Sequence, residues 1–372
     1  MTLRNRVRGS LFGGALGAAL GAGLAGMSWA QIKHRFGPGG VTGPTGAYGV
    51  HLPMTTNTQL ALFTAEGMLR ASVRFRSKGI CHPPGVVWYA YQRWLATQRR
   101  AAPPRAGDTG AGTGAGEHGF VLTGWLITQP VLYARRFPGQ ATLTGLSLPK
   151  PPAAEQRVNP TSKGCGALTR SAPFGLFCDS PATAWTFAAE CAAFTHGHPV
   201  GVLSAAAFAW IVAEVTYHGR TVVAATESAL GRLADEDGAE PVCLALRAAL
   251  DAATAGPLAG ERVAGLGRGT TAERALAIAV YCAAVPADPR AALLASVNHS
   301  GDSDSTGVVC GNLLGAVYGE NVLPGDWLTA LEGADLIGEL ADDVVRELLD
   351  PPTEPEAWGG ATLAWFDRYP GG

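Results

Sequence analysis

Apolar residues recur every three to four positions along much of this 372-residue chain, the spacing of one face of an α-helix. Leu62, Ala65, Leu69 and Val73 form one such stripe, and Ile337, Leu340, Val344 and Leu348 form another. Residues 182–194, 203–217 and 272–284 read as buried or half-buried helices. Alternating strands are scarce. Gly and Ala are abundant and β-branched residues do not dominate, which favours closely packed helices over sheet. The expected fold class is all-α, in a single domain over 1–372.

Two stretches break the helical pattern. Residues 101–119 are almost wholly Ala, Gly, Pro and Thr, the composition of a mobile surface loop. Residues 146–161 hold Pro149, Pro151, Pro152 and Pro160 and read as an extended, ordered crossing. The tail, 351–372, begins irregular, and Trp358, Trp365 and Phe366 suggest that it packs back on the domain.

Charge narrows the function classes. The chain is 16% charged with a formal net charge of -2, which gives no electrostatic case for a nucleic-acid partner. Its seven cysteines are widely spaced, odd in number and without a Cys-x-x-Cys, so they suggest neither a disulfide framework nor zinc; reduced thiols in a cytoplasmic protein are expected. Near the N-terminus, Arg4, Arg6 and Arg8 precede an uncharged run at 11–27, and Ser28-Trp29-Ala30 resembles a cleavage site. That is how a secretory leader looks. The run is rich in glycine and poor in leucine, however, and makes a weak membrane segment, so no membrane partner is expected.

The chemistry concentrates in four segments. The first is Asn298-His299-Ser300-Gly301-Asp302-Ser303-Asp304-Ser305-Thr306-Gly307, where two carboxylates among hydroxyls offer hard oxygen ligands for Mg²⁺ or Ca²⁺. The same aspartates suit the start of a helix expected near Ser305, so capping and metal binding both stand on the residues alone. The second is Ser162-Lys163-Gly164-Cys165-Gly166 with Arg170, followed by Thr195-His196-Gly197-His198-Pro199. The third is Thr55-Thr56-Asn57-Thr58, and the fourth the Gly-rich run from Arg8 to Gly21.

In their order along the chain the four segments resemble the ADP-ribosylglycohydrolase family, from about Arg6 to Tyr318. The resemblance implies a compact, orthogonal all-α fold with a binuclear Mg²⁺ centre in a cleft. It also implies that 11–27 is the domain's first helix. Family enzymes cleave the bond at the anomeric ribose carbon of ADP-ribose attached to a protein side chain or other acceptor. The implied partners are therefore ADP-ribose, or a related nucleotide, and an ADP-ribosylated protein. A metal that orients the sugar and a water fits the oxocarbenium-like transition state of such a cleavage.

This chain departs from the family pattern where metal is held. The family's Thr-Asp-Asp-Thr stands here as Thr55, Thr56, Asn57 and Thr58, and its helix-one Gly-Asp-Ala-Leu-Gly as Gly17, Ala18, Ala19, Leu20 and Gly21. The preceding Asn-Asp of the Gly-rich run appears as Pro160-Thr161. Asp302, Asp304 and Ser305 survive. Two Mg²⁺ ions at a spacing of roughly 4 Å repel by about 16 kcal/mol at an effective dielectric of 20. Two carboxylates leave about two positive charges uncompensated. The expectation is an ADP-ribose-shaped cleft with hydrolysis lost or strongly reduced, and at most one weakly bound Mg²⁺ on Asp302, Asp304, Ser305 and Thr55. A working Mg²⁺-dependent hydrolase and a structural protein with a vestigial cleft are the alternatives.

Other residues complete the reading. Gly164 and Gly166 let backbone amides approach a diphosphate, or else form a tight turn; Ser162, Lys163 and Cys165 flank them as candidate ligand contacts. Lys163 and Arg170 are candidate phosphate partners or structural ions. His196 is expected to line the ribose cleft or cap a helix, and His299 to fix its loop. Glu66 is the nearest carboxylate to the degenerate half-site, with a helix-surface place expected for it. Trp88, Tyr89, Tyr91 and Trp94 read as core. No Ser or Cys nucleophile with a base partner is evident.

Overall fold

A computed structural model describes residues 1–104, 122–153, 156–285, 287–353 and 362–371. Among these residues there is no strand, only two isolated bridges, Ala47 with Val50 and Leu52 with Leu331. The first helices are α1 (Leu3–Ala22), α2 (Trp29–Phe36), α3 (Thr56–Lys78), α4 (Pro83–Arg99) and α5 (Gln140–Leu146). A central set follows: α6 (Ala172–Phe177), α7 (Pro181–Ala193), α8 (Pro199–His218), α9 (Val222–Leu233), α10 (Glu240–Thr254), α11 (Gly260–Leu266) and α12 (Ala272–Ala284). The chain closes with α13 (Pro289–Val297), α14 (Ser303–Tyr318), α15 (Gly325–Ala330), α16 (Ala334–Leu349) and α17 (Leu363–Arg368). The all-α expectation holds.

The fold is organised around α1 and α14, which lie antiparallel with glycine against glycine. Gly9 meets Gly315, Gly13 meets Gly311, Gly17 meets Gly307, and Gly21 meets the backbone of Ser303. A methyl group at Gly13 would sit 2.2 Å from the Gly311 carbonyl oxygen, and one at Gly17 1.9 Å from that of Gly307. The glycines at four-residue spacing therefore mark the line along which two backbones touch. α1 begins eight residues before the expected run, capped by the Thr2 hydroxyl, which accepts from the Asn5 amide. The arginines of a leader-like pattern are its fasteners. Arg8 binds Glu320 and Asp342, Arg4 binds Asp342, and Arg6 donates to the carbonyls of Val215 and Ala316 at the ends of α8 and α14.

The turn after α1 is tied to the loop ahead of α14. Gly26 donates to the Gly301 carbonyl at 2.7 Å, Gly301 donates back to Met27 at 2.9 Å, and the Trp29 amide donates to Ser300 Oγ at 2.8 Å. Ser28, read as part of a cleavage-site pattern, forms a capping box with Gln31 at the start of α2. α8 is long and apolar enough to cross a membrane, but it is buried against the other helices, as a core helix is.

Two sequence expectations change. Glu66 is fully buried rather than at a helix surface, held by Arg70 at 3.2 Å and Arg93 at 2.6 Å. Its partners lie one turn on and on the neighbouring α4, so the ion cluster joins two helices inside the core. Trp88, Tyr91 and Trp94 are buried, whereas Tyr89, on the opposite face of α4, is exposed. Within the tail, 363–368 is helical, and Trp365 packs into the core and donates to Glu347 at 2.9 Å. The Gly/Ala/Pro stretch lies outside the described residues beyond 104, as do Trp358 and part of the proline-rich crossing.

Candidate ligand cleft

The loop ahead of α14 and the start of α3 face each other across a cleft of about 650 Å³, a size that suits a nucleotide-sized ligand. One wall carries Asp302, Asp304 and Ser305, and another Thr55, Thr56 and Asn57. The Gly-rich turn supplies Ser162, Gly164, Cys165 and Gly166, with His196 beside it. Residues of three of the four motif segments thus converge on the cleft, whereas the Gly-rich run from Arg8 to Gly21 stops short of its lining.

Asp302 occupies the N-cap position of α14 but makes no side-chain capping bond, so its carboxylate is left to the cleft. Asp304 is the acceptor for Asn57 Nδ2 at 3.2 Å, and Asn57 Oδ1 accepts from the Thr169 hydroxyl at 3.0 Å. Burial, and next the charge of Asp302, push Asp304 well above the usual carboxylate range. Thr56 donates its hydroxyl to the Arg136 carbonyl at 2.8 Å, and Thr55 caps α3 by accepting from the Thr58 amide. Ala18 is buried in α1 and does not line the cleft; Ala22 and Ala25, further along the same chain, do. Among the described residues no group of three or more His, Cys, Asp or Glu side chains is placed to hold a metal.

The Gly-rich wall is pinned from behind. The Asn159 side chain donates to Ala141 O at 3.0 Å and to Thr195 O at 2.9 Å, and its carbonyl accepts from the Ser162 amide. A methyl group on Gly166 would come within 3.0 Å of Thr142 Oγ1 and 3.1 Å of the His196 ring. Arg170 is buried behind the wall: it donates to Cys191 O and, at 2.7 Å, to Thr195 Oγ1, and stacks over Tyr91. Its role is to support the wall, with no reach to a phosphate. Lys163 is not brought into the cleft; its side chain is exposed, and its carbonyl accepts from Ala272 at the start of α12.

His196 is held neutral, its pKa pushed down to about 3 by burial and by the charge of Arg170. Its Nδ1 lies 2.7 Å from Thr195 Oγ1. The other acceptor open to that hydroxyl, Ala192 O, is 3.5 Å away, so the hydroxyl proton goes to Nδ1 and the ring proton sits on Nε2. Nε2 faces the Gly164–Gly166 turn as a donor. The helix cap is His198, which accepts from the Val200 amide. His299 fixes its loop through the Ser296 carbonyl and the Thr306 hydroxyl. Cys165 donates to Gly269 O, and burial and the nearby Asp302 push its thiol up, away from nucleophilic use.

Sequence reasoning missed Tyr48, Arg136, Phe137, Gln140 and Thr142, all of which line the cleft. The turn-forming run Phe137-Pro138-Gly139 was the available signal for part of this set.

A family model described as ADP-ribosylglycohydrolase matches residues 1–353. The chain belongs to the ADP-ribosylglycohydrolase family. Among solved structures, 47 chains match. One, described as an ADP-ribosylglycohydrolase-related protein complex, aligns with a TM-score of 0.60 at 24% identity over 93% of this chain and 99% of that one. That likeness shows the shared fold. No curated protein matches the chain.

Proposed function

We infer that this ADP-ribosylglycohydrolase-family protein binds ADP-ribose or a related nucleotide in the cleft and cleaves ADP-ribosyl linkages to an acceptor slowly or not at all. The observation that carries this reading is the Asn57 amide on Asp304. Where the family pattern has a carboxylate, this chain puts an N–H donor against a carboxylate that a cation would otherwise neutralise. Thr56 is likewise committed to the Arg136 carbonyl. Two aspartates against two dications leave roughly half the positive charge unbalanced, so the donor set does not fit a metal pair. One ion, held by Asp302, Asp304, Ser305 and Thr55, is the most the oxygens support.

The groups suited to binding are intact. Gly164 and Gly166 leave backbone open to a diphosphate, and Ser162 and the Nε2–H of His196 offer donors to ligand oxygens. With its pKa pushed down to about 3, His196 is a poor base for water, and Asp304 is already engaged by Asn57, so activation of a water is the weak point.

Heat unfolding tests binding. ADP-ribose at 100 times its dissociation constant should stabilise the protein by about 2.7 kcal/mol, with or without Mg²⁺. Release of ADP-ribose from a modified protein should be near background. No thermal response to ADP-ribose would leave a vestigial cleft. Mg²⁺-dependent release that disappears in Asp302→Ala or Asp304→Ala would instead establish an active hydrolase.

A further inference from the structure

Apart from glycine, only Tyr48, Phe137 and Asn159 among the described residues have a positive φ. Asparagine tolerates that conformation, but a bulky aromatic side chain rarely adopts it. Tyr48 (φ 56°) and Phe137 (φ 49°) come from segments almost ninety residues apart, yet both line the cleft and stand side by side, ring centroids 6.0 Å apart and planes tilted by 32°. Neither ring is tucked away: Tyr48 is 44% exposed and Phe137 87%.

The surroundings hold both in place. Tyr48 and Gly49 are the two central residues of a hairpin turn closed by paired bonds between Ala47 and Val50, and both have the positive φ of a type I′ turn, a position that favours Asn or Gly. Phe137 is further restricted by Pro138. Arg136 is clamped by Glu332 and by Met54 O at 2.8 Å, its carbonyl accepts from Thr56, and its guanidinium lies 5.6 Å from the Tyr48 ring centroid. The Arg136 guanidinium, itself part of the cleft lining, thus braces Tyr48, and both rings stay exposed. Backbone strain kept in this way, for two aromatic faces shown to solvent at the edge of a cleft, is characteristic of a binding site.

We propose that Tyr48 and Phe137 form a stacking platform for the nucleobase of the cleft's ligand. The inference rests on the nucleotide-binding reading above and gives it a specificity element. Beside Ala22, Ala25, Leu60 and Ala141, the cleft lining offers hydroxyls, glycine backbone and carboxylates suited to sugar and phosphate. The two rings are the exposed aromatic surface in its lining, and a planar base is the part of a nucleotide that such a surface fits.

The test compares ADP-ribose with ribose 5-phosphate, which lacks a base, by calorimetric titration of the wild type and of a Tyr48→Gly, Phe137→Gly double variant. Glycine adopts the same φ without strain, so the variant should melt at the wild-type temperature or above it. Its affinity for ADP-ribose should fall by about tenfold or more, and its affinity for ribose 5-phosphate should stay within about twofold. Retained ADP-ribose affinity in the variant would overturn the platform, as would equal loss of both ligands with a lower melting temperature. So would a wild type that holds ribose 5-phosphate as tightly as ADP-ribose. A wild type that binds neither ligand removes the nucleotide-binding reading, and the platform with it.

Discussion

An amide and a carboxylate of the same shape differ at one atom, and at position 57 that atom faces Asp304. Asn57→Asp replaces a donor with a second carboxyl group and sets it against Asp304, already crowded by Asp302, in a half-buried place. In EDTA the variant should lose about 2 kcal/mol of stability from the lost bond and the repulsion. Millimolar Mg²⁺ should restore much of that loss, while the wild type should change little between the two conditions. Heat unfolding of both proteins in EDTA and in Mg²⁺ makes the comparison. If the variant melts at the same temperature in both, position 57 does not govern cation binding. The arrangement of Thr169 supports the premise, since its hydroxyl already orients the amide from the other side.

Among the elements, the α1–α14 pair has the least room for change. Gly13→Ala places a methyl carbon 2.2 Å from backbone oxygen on a facing helix that is itself packed on α12 and α13. Neither backbone can yield without moving Asp302 or the turn at Gly26. The expected cost is about 3 kcal/mol or more. Gly231→Ala in α9 is the contrast, because a methyl there meets nothing within 4 Å, and it should be neutral or stabilise by about 0.5 kcal/mol. Denaturant midpoints of the two variants measure the difference, and equal midpoints would refute the close contact. The helices themselves were legible in the sequence because a 3.6-residue stripe is a local signal: Leu62 to Val73 and Ile337 to Val344 are buried as read. The cleft lining was legible where its residues are contiguous, at Ser162, Gly164 to Gly166, Asp302, Asp304 and Ser305. It was not legible where contacts join distant segments. Tyr48 and Phe137 share no pattern in sequence, and Glu66 looked like a surface residue because one of its two cationic partners lies on another helix. Lys163 failed for the opposite reason: its neighbours enter the cleft, but alternate side chains of an extended turn point different ways.

For the whole molecule, the buried imidazoles make stability depend on pH. His196 titrates near 6.5 when unfolded and at about 3 when folded, so between those values the unfolded chain binds the extra proton. Its contribution is unchanged above pH 6.5 and is lost progressively as pH falls below it, by at most about 1.4 kcal/mol per pH unit. Asp304, raised instead of lowered, acts with the opposite sign above its ordinary value, so the net slope is a difference of terms. The His196 share can be isolated. Melting temperatures of His196→Gln and wild type should differ by a constant amount above pH 7 and converge as pH drops toward 4; a constant gap throughout would show that the ring is not buried neutral. The antiparallel contact of α1 and α14 has a further consequence for how the protein is made. Almost three hundred residues separate Gly13 from Gly311, so on the ribosome the first helix, which from Leu11 to Ala22 is Gly, Ala and Leu apart from Phe12, emerges long before the surface that covers it. It must be shielded by other parts of the nascent chain or by a chaperone for most of translation. The cleft is completed late, when the loop ahead of the second helix arrives.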